Sequence, residues 1–354
     1  MESTDKEFGS TGKVNLMKFT KALFAAAAVV GLSTAASAGT LDDVKGKGFL
    51  QCGVSTGVAG FSFTDDAGNW VGFDPAVCQG VAAAIFGDKS KVKYTPTTGK
   101  TRFEALKSGE IDMLARNTTW TFSRDADLKL TFVGINYYDG QGFMVPKALG
   151  VSSAKELDGA SVCIQTGTTT ELNLADFFRS NNISYEPVPI ETNAEARQNY
   201  QAGRCDVYTT DASGLAATRS TFEKPDDHVL LPEIISKEPL GPLVRHGDDE
   251  WGDVVRWTLN VMIMAEELGI TSKNVQDLAK SSDIPEVKRL LGTEGSFGDM
   301  IGLPADWAVQ VISQVGNYGE VFDQYIGPNT AIGLERGLNA QWTDGGLIYA
   351  PPFR

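Results

Sequence analysis

The chain has 354 residues, of which 42% are hydrophobic and 21% are charged, an ordinary globular composition with enough material for two packed lobes. This balance excludes a disordered tail and a small scaffold held together by disulfides. The formal net charge of -14 argues against nucleic acid or an anionic membrane surface as a partner, because both would repel an acidic protein.

The N-terminal segment has the features of a secretory signal. Two lysines precede an apolar run over residues 22–32, and small residues provide a cleavage site near Ala38. A membrane anchor is the less favoured alternative because the apolar run is too short to span a bilayer. We therefore predict a periplasmic protein whose mature chain begins near Gly39. The upstream tail, residues 1–16, and the signal peptide up to residue 38 are interpreted as lying outside the fold.

Strands and helices are predicted to alternate in the first half of the mature chain. An apolar strand over residues 49–54 is followed by a helix that begins with Asp74 as its cap and runs to residue 86. Thr101 and Glu104 form a predicted capping box at the next helix, and a buried strand follows over residues 111–115. This alternation predicts a parallel sheet.

The same alternation returns in the second half of the chain. Strands are predicted over residues 161–165, 184–188 and 205–209, and helices are predicted at the capping pairs Ser153/Glu156, Thr168/Glu171 and Thr192/Glu195. A helix end, a glycine and a strand start are spaced alike in residues 105–112 and 199–206. The sequence therefore predicts an α/β fold with two lobes, each a mostly parallel sheet flanked by helices.

Two extended stretches with glycine and proline, residues 140–146 and 236–242, are predicted to cross between the lobes. We expect lobe 1 over residues 39–143, lobe 2 over residues 144–237, and a return to lobe 1 over residues 238–354 with a helical C-terminal extension.

Four cysteines lie in the predicted mature chain. In an exported protein disulfides persist, and four cysteines allow three pairings. We favour Cys52 with Cys78 and Cys163 with Cys205, because each pair then falls within one half of the chain. Buried free thiols are the alternative.

The sequence offers little catalytic chemistry. It contains two histidines and no Cys-x-x-Cys, and the glycine-threonine run at residues 167–170 lacks the lysine of a phosphate-binding loop. We expect no cofactor, no metal site and no catalytic residues.

Residues 116–124 contain groups suited to a zwitterion. They follow a buried strand, at the carboxyl end of a parallel sheet, where such folds bind ligands. Arg124 can hold a carboxylate through two charge-assisted hydrogen bonds. The alternative is a surface arginine paired with Asp125 or Asp127.

The second half offers two further candidates. Thr168 opens a helix whose free N–H groups suit a carboxylate, although an ordinary capping box explains the pattern equally well. Asp211 follows a strand and either caps the next helix or receives an ammonium group.

Several motifs in order resemble the polar amino acid-binding proteins of ABC transporters, most of all their general L-amino acid branch. The resemblance covers the whole mature chain and is carried by residues 72–74, 116–124, 138–145, 167–169, 205–211 and 316–320. It implies a two-lobed periplasmic-binding-protein fold of type II with a two-strand hinge.

The resemblance also implies roles for individual residues. Arg124 would hold the α-carboxylate of a free L-amino acid with help from Thr119 and Thr169, and Asp211 with the Asn117 region would receive the α-ammonium group. The expected ligand-binding set is completed by Thr118, Thr168, Phe61, Phe63 and Arg116.

Phe61, Phe63 and Arg116 of this set, and Trp120 beside it, carry an open alternative. Phe61 or Phe63 would stack on the ligand, yet residues 60–63 form a shorter loop than is usual, and core packing explains either ring. Arg116 and Trp120 would read the ligand side chain unless they face away from the cleft.

The implied function is that of a monomeric solute-binding protein. It would bind amino acids such as glutamate, glutamine and aspartate by lobe closure and deliver them to a membrane permease. An exported enzyme of the dehydratase type, with Glu171 as its acid or base, and an amino acid sensor for a receptor are the rival hypotheses.

Overall fold

The computed structural model describes residues 39–354, so the predicted signal peptide and its cleavage site lie outside the described residues. Within the described range, no helix has both the length and the apolar character needed to cross a membrane.

Short strands and helices alternate along the described chain. The strands are β1 (Leu50–Ser55), β2 (Phe63–Thr64), β3 (Trp70–Val71), β4 (Val92–Thr97), β5 (Met113–Leu114), β6 (Leu130–Phe132), β7 (Tyr137–Asp139), β8 (Gln141–Pro146), β9 (Ala160–Gln165), β10 (Tyr185–Ile190), β11 (Val207–Asp211), β12 (His228–Leu230), β13 (Glu238–Leu240) and β14 (Leu243–Arg245). The helices are α1 (Thr40–Lys47), α2 (Phe73–Phe86), α3 (Arg102–Ser108), α4 (Thr169–Ser180), α5 (Asn193–Gln201), α6 (Ala212–Ser220), α7 (Asp249–Glu267), α8 (Val275–Ser281), α9 (Pro285–Leu290), α10 (Phe297–Met300), α11 (Trp307–Val315) and α12 (Tyr318–Tyr325).

The first sheet has the strand order β4-β1-β5-β14-β6. β1 is parallel to β4 and β5, whereas β14 runs antiparallel to its neighbours β5 and β6. Since β14 comes late in the sequence, the chain returns to this sheet after it has built the second one. The β–α alternation of the first half therefore produces a mostly parallel sheet.

The second sheet has the equivalent order β10-β9-β11-β8-β12. β9 is parallel to β10 and β11, and β8 is antiparallel to β11 and β12. Residues 141–143 lie in this sheet, because Gly142 pairs with Thr210 and Phe143 with Thr209. The sequence analysis had ended the first lobe at residue 143.

The two sheets are joined by an antiparallel pair of short strands, β7 and β13, in the register Glu238 to Asp139 and Leu240 to Tyr137. The first connection comes a few residues before the glycine-containing stretch that was predicted to cross, because that stretch forms β8 of the second sheet instead. This pair is the two-strand hinge of a two-lobed fold.

The helices after β14 pack on the first sheet. α7 and α11 both contact α2, and Trp251, Trp307 and Phe322 are buried in one apolar core with β1. Separate apolar clusters fill the second lobe.

Each lobe contains one disulfide. Cys52 is bonded to Cys78 and ties β1 to α2, and Cys163 is bonded to Cys205 and ties β9 to the segment before β11. This pairing is the one favoured from the sequence.

Two predicted helix caps are wrong. Gly72, not Asp74, occupies the cap position of α2, and Asp74 is buried within the helix. Thr101 precedes α3 but makes no capping hydrogen bond, because its Oγ1 accepts from the amide of Thr98. The capping box of Thr192 and Glu195 is present as predicted.

Candidate functional site

A polar cavity lies where the carboxyl ends of the two sheets face each other. Its volume is about 20 Å³. It is lined by Arg102, Arg116, Asn117 and Thr119 from the first lobe and by Gln165, Thr168, Thr169, Thr170, Thr210 and Asp211 from the second. We call it the inner cavity.

A turn after β5 brings Arg116 and Asn117 to this cavity. Asn117 has a positive φ of 33°, and its backbone N–H donates to Oδ2 of Asp74 at 3.1 Å. Burial raises the pKa of Asp74 to about 7, although the hydrogen bond from Asn117 and the charge of Arg116 act in the opposite direction. Asp74 therefore holds the backbone of the turn at Asn117 in place.

Three buried arginines, Arg102, Arg116 and Arg124, converge on this region. Burial lowers the pKa of Arg116 and of Arg124 to about 10 and also lowers that of Arg102. In the described part of the chain, none of these guanidinium groups forms an ion pair with a carboxylate. Nearby carboxylates offset part of this positive charge without a direct ion pair, so the buried guanidinium groups favour an anionic ligand.

Arg102 is held loosely for a buried arginine. Its Nη1 donates to Thr118 Oγ1 and its Nη2 to the carbonyl of Gly167, both at 3.3 Å, and its Nε has no hydrogen-bond partner within residues 39–354. Because Gly167 belongs to the second lobe, Arg102 touches both walls of the inner cavity.

Arg124 lies in a π-helical turn over Ser123–Asp127. Its Nη1 donates to the carbonyl of Thr119 at 2.8 Å, and its guanidinium lies 5.1 Å from the ring of Phe103. It stands behind Thr119 rather than in the lining of the inner cavity. The alternative of a surface arginine is wrong, because Arg124 is buried.

The second lobe contributes the N-terminus of α4. Thr168 accepts a capping hydrogen bond from the amide of Glu171 at 3.2 Å, and the Glu171 carboxylate accepts from the amide of Gly167 at 2.9 Å. Thr168 therefore caps the helix and also lines the inner cavity, so its capping role does not exclude a contact with a ligand.

Asp211 occupies the cap position of α6, but its side chain makes no capping hydrogen bond. It is buried against the inner cavity. Burial raises its pKa well above the ordinary value, and the charges of Asp139 and Glu238 raise it further, whereas Arg102 and Arg124 act in the opposite direction. The interpretation of Asp211 as a simple helix cap is therefore wrong.

Glu238, in hinge strand β13, binds side chains from both lobes. Its Oε2 accepts from Thr119 Oγ1 at 2.5 Å and from Thr169 Oγ1 at 2.9 Å. Its Oε1 accepts from Asn173 Nδ2 at 2.7 Å and from Ser236 Oγ at 2.6 Å. Thr119 and Thr169 thus donate their hydroxyl protons to Glu238 in the hinge, which leaves the lone pairs of their oxygen atoms free to accept from a ligand.

Several expected ligand contacts lie elsewhere. Phe61 is buried in the apolar core, in edge-to-face contact with Phe73 and Tyr137. Trp120 stacks on Phe132 and is partly exposed, and it does not line the inner cavity. Thr118 is buried behind the inner cavity, with its hydroxyl donating to the carbonyl of Arg116.

Phe63 borders a second space between the lobes, which we call the outer pocket. It has a volume of about 250 Å³. One wall consists of residues 56–59 with Phe63, and the other consists of residues from α5 and α6.

The two lobes come into close contact through the backbones of Gly99 and Gly167. A Cβ atom at Gly99 would lie 2.5 Å from the carbonyl oxygen of Thr166, and one at Gly167 would lie 3.1 Å from the Gly99 carbonyl. Only residues without a side chain allow this approach.

The sequence analysis missed Arg102, Gln165, Thr170, Thr210 and Glu238. Gln165 and Thr210 lie at the carboxyl end of a strand, so the rule applied to residues 116–124 would also have found them, whereas Arg102 and Thr170 lie in the first turn of the helices that follow β4 and β9. Glu238 carries no such signal, since it begins a short hinge strand.

Comparisons with known proteins agree with this geometry. Residues 50–274 match the family of bacterial extracellular solute-binding proteins, family 3. The chain is 61% identical to the glutamate/glutamine/aspartate/asparagine-binding protein BztA of Rhodobacter capsulatus, over 94% of this chain and 99% of that one. It is 58% identical to the general L-amino acid-binding periplasmic protein AapJ of Rhizobium johnstonii, over 94% and 98% of the two chains.

A solved structure is also similar. The periplasmic binding protein from Brucella ovis with glutathione bound has 57% sequence identity and a TM-score of 0.87, and the match covers 90% of this chain and 100% of that one. The resemblance found in the motifs is thereby confirmed. The chain belongs to the bacterial extracellular solute-binding proteins, family 3.

Proposed function

We propose that this protein binds a free L-amino acid with a polar side chain in the inner cavity and delivers it to the permease of an ABC importer. The observation that carries the proposal is the meeting of buried arginines and a buried aspartate at one polar cavity between two hinged lobes. Opposite charges fixed on the two walls of a cleft match the two charges of a zwitterion.

Each end of the ligand has a partner. Arg124, which acts from behind Thr119, and the free N–H groups at the start of α4 attract the α-carboxylate. Asp211 receives the α-ammonium group, and the Thr119 and Thr169 oxygens accept from it, since their protons are directed to Glu238. The charge of Asp211 raises the pKa of Arg124, so the two groups are close enough to interact.

Arg102 and Arg116 favour a ligand side chain that is acidic or carries an amide. Both line the inner cavity, and the Arg102 Nε has no hydrogen-bond partner. A side-chain carboxylate or amide oxygen would satisfy it. The name of the 61% identical relative, which specifies glutamate, glutamine, aspartate and asparagine, supports this class.

Lobe closure is the proposed mechanism. The inner cavity of about 20 Å³ holds roughly one water molecule, so an amino acid gains access only when the lobes separate at the hinge. Closing then removes water and strengthens each charged contact. No bond is made or broken.

A γ-glutamyl peptide is a second candidate ligand. The relative with a TM-score of 0.87 has glutathione bound, and its glutamyl head carries the same two charges as a free amino acid.

The partner and the location follow from the same proposal. A signal peptide cleaved near Ala38 would release a monomer into the periplasm, where the closed form meets the permease. An acidic protein of net charge -14 would not bind nucleic acid. The enzyme alternative loses the residue proposed as its acid or base, because the Glu171 carboxylate accepts from the amide of Gly167 at the start of α4. A sensor would use the same binding residues, and uptake of labelled amino acid in a deletion strain separates sensing from transport.

Calorimetry with L-glutamate and L-glutamine tests the site. Arg124→Met should weaken both ligands by about 3–5 kcal/mol, because it leaves the buried carboxylate without its partner. Arg102→Met should weaken glutamate more than glutamine, because it removes a positive charge near the side chain. Arg179→Met is the control, since Arg179 is exposed on α4 and pairs with Asp176. Unchanged binding of both ligands by the Arg124 variant would refute the assignment.

A further inference from the structure

The outer pocket and the inner cavity are connected through the ends of strands β1 and β4. Ser55, the last residue of β1, accepts a hydrogen bond from Asn193 Nδ2 at 3.2 Å across the lobes. Ser55 is followed by Thr56 of the outer pocket and is paired with Thr97, whose carbonyl accepts from Arg116 Nε of the inner cavity. The hydrogen bond between Ser55 and Asn193 joins two neutral groups, and a ligand group can replace such a contact at little cost.

The outer pocket has room and polar groups for a ligand. Its volume of about 250 Å³ compares with about 20 Å³ for the inner cavity, and residues 57–59 of its wall are small or β-branched. Thr56 borders the pocket, and its hydroxyl, which is buried in this form, has no hydrogen-bond partner among the described residues. An amide group of a ligand that enters while the lobes are open would satisfy this hydroxyl.

Arg197 provides positive charge at the far wall. It lies on α5, is half-buried, and contacts only the hydroxyl of Thr221, at 3.5 Å. It forms no ion pair within residues 39–354. A half-buried arginine without a carboxylate partner suits a ligand carboxylate.

From these contacts we infer that the outer pocket is a second subsite, which binds the extension of a γ-glutamyl peptide while the glutamyl head lies in the inner cavity. The inference rests on the proposed function. The peptide replaces the contact between Ser55 and Asn193, its amide meets Thr56, and its terminal carboxylate pairs with Arg197. One protein then accepts both a free amino acid and a γ-linked peptide, because the groups that grip the head are shared.

Calorimetry with three ligands tests the subsite: L-glutamate, glutathione, and glutathione esterified at its glycine carboxyl. Arg197→Gln should weaken glutathione about tenfold, the loss of roughly one charge-assisted hydrogen bond, and should leave glutamate and the ester unchanged. Arg204→Gln is the matched control, because Arg204 follows α5 but is exposed and contacts Asn199. An equal loss for glutathione and its ester would overturn the role of Arg197.

Filling the pocket gives a second, independent readout. Ala194→Trp on α5 and Thr218→Trp on α6 should each lower glutathione affinity at least tenfold and leave glutamate affinity within about threefold. Equal losses for both ligands would overturn a separate subsite. Binding of glutamate without glutathione by the unmodified protein would overturn the inference and leave the proposed function standing, whereas a protein that binds neither of them, nor any other amino acid, would overturn the proposed function.

Discussion

The surroundings of the Asp211 side chain cannot be deduced from its position in the sequence. It ends a strand and precedes a helix, which is the pattern of a helix cap, yet its side chain faces a cavity instead of the helix. Asp139 and Glu238 from the two hinge strands and Arg102 and Arg124 from the first lobe all act on its charge. A group in such surroundings responds to pH and to ligand charge.

Ligand affinity should therefore fall in mild acid. Burial raises the pKa of Asp211, so this carboxylate becomes protonated as the pH falls through a value well above 3.8, and a neutral acid cannot pair with an ammonium group. Affinity for L-glutamine, whose side chain does not titrate, should weaken by up to about tenfold per pH unit below that pKa. Calorimetry between about pH 8 and about pH 5 measures the profile. Asp211→Asn should bind weakly with a flatter profile, and an unchanged profile would exclude Asp211 as the ammonium partner.

Residues at the site differ in how far sequence could predict them. Arg124 could be found because it follows a buried strand in a motif with many matches. A binding role for Arg102 was not predicted, because Thr101 and Glu104 on either side of it have the pattern of a helix start and were interpreted as a capping box. The burial of Phe61 could not be known either, because only the packed fold decides whether a ring meets a ligand or the core.

Hinge strand β13 is both a connection and a part of the site. Glu238 accepts hydrogen bonds from Thr119 of the first lobe and from Thr169 and Asn173 of the second. Lobe separation must break some of these bonds, so the hinge carboxylate stabilises the closed form in addition to orienting the threonines. The sequence predicted an extended crossing here but not this role, because short hinge strands have no periodic pattern.

Glu238→Gln should weaken ligand binding about tenfold and reduce the free energy of unfolding by about 1–3 kcal/mol, because an amide cannot accept four hydrogen bonds. Calorimetry and urea denaturation measure the two effects. Glu233→Gln is the control: Glu233 accepts from Ser153 and from the amide of Ala154 within the second lobe only, so this change should alter stability without altering affinity. Equal binding losses in both variants would contradict a role specific to the hinge.

The whole molecule combines rigid lobes with a movable connection. Each disulfide lies within one lobe, and two strands connect the lobes. The alternation of strands and helices and the cysteine pairing could be predicted, because both depend on local pattern. The boundaries of the lobes in the sequence could not be predicted, because strand β8 belongs to the second sheet only through its long-range pairing with β11.

Removing either disulfide should lower stability without changing lobe closure. The bonded cysteines are 26 and 42 residues apart, so the chain-entropy model gives a loss of about 3–4 kcal/mol for each disulfide. Cys52→Ser with Cys78→Ser, and Cys163→Ser with Cys205→Ser, can be compared by urea denaturation. Affinity measured where each variant is fully folded should remain within about threefold of the parent. A large affinity loss would mean that a disulfide also shapes the cleft.

The close contact between the lobes at Gly99 and Gly167 suggests how the protein can be held in an open state. A single methyl group at Gly99 would collide with the Thr166 carbonyl and keep the two lobes slightly apart. No charged group of the inner cavity would be altered. Gly99→Ala would thus favour the open state by changing one residue that lines neither space between the lobes.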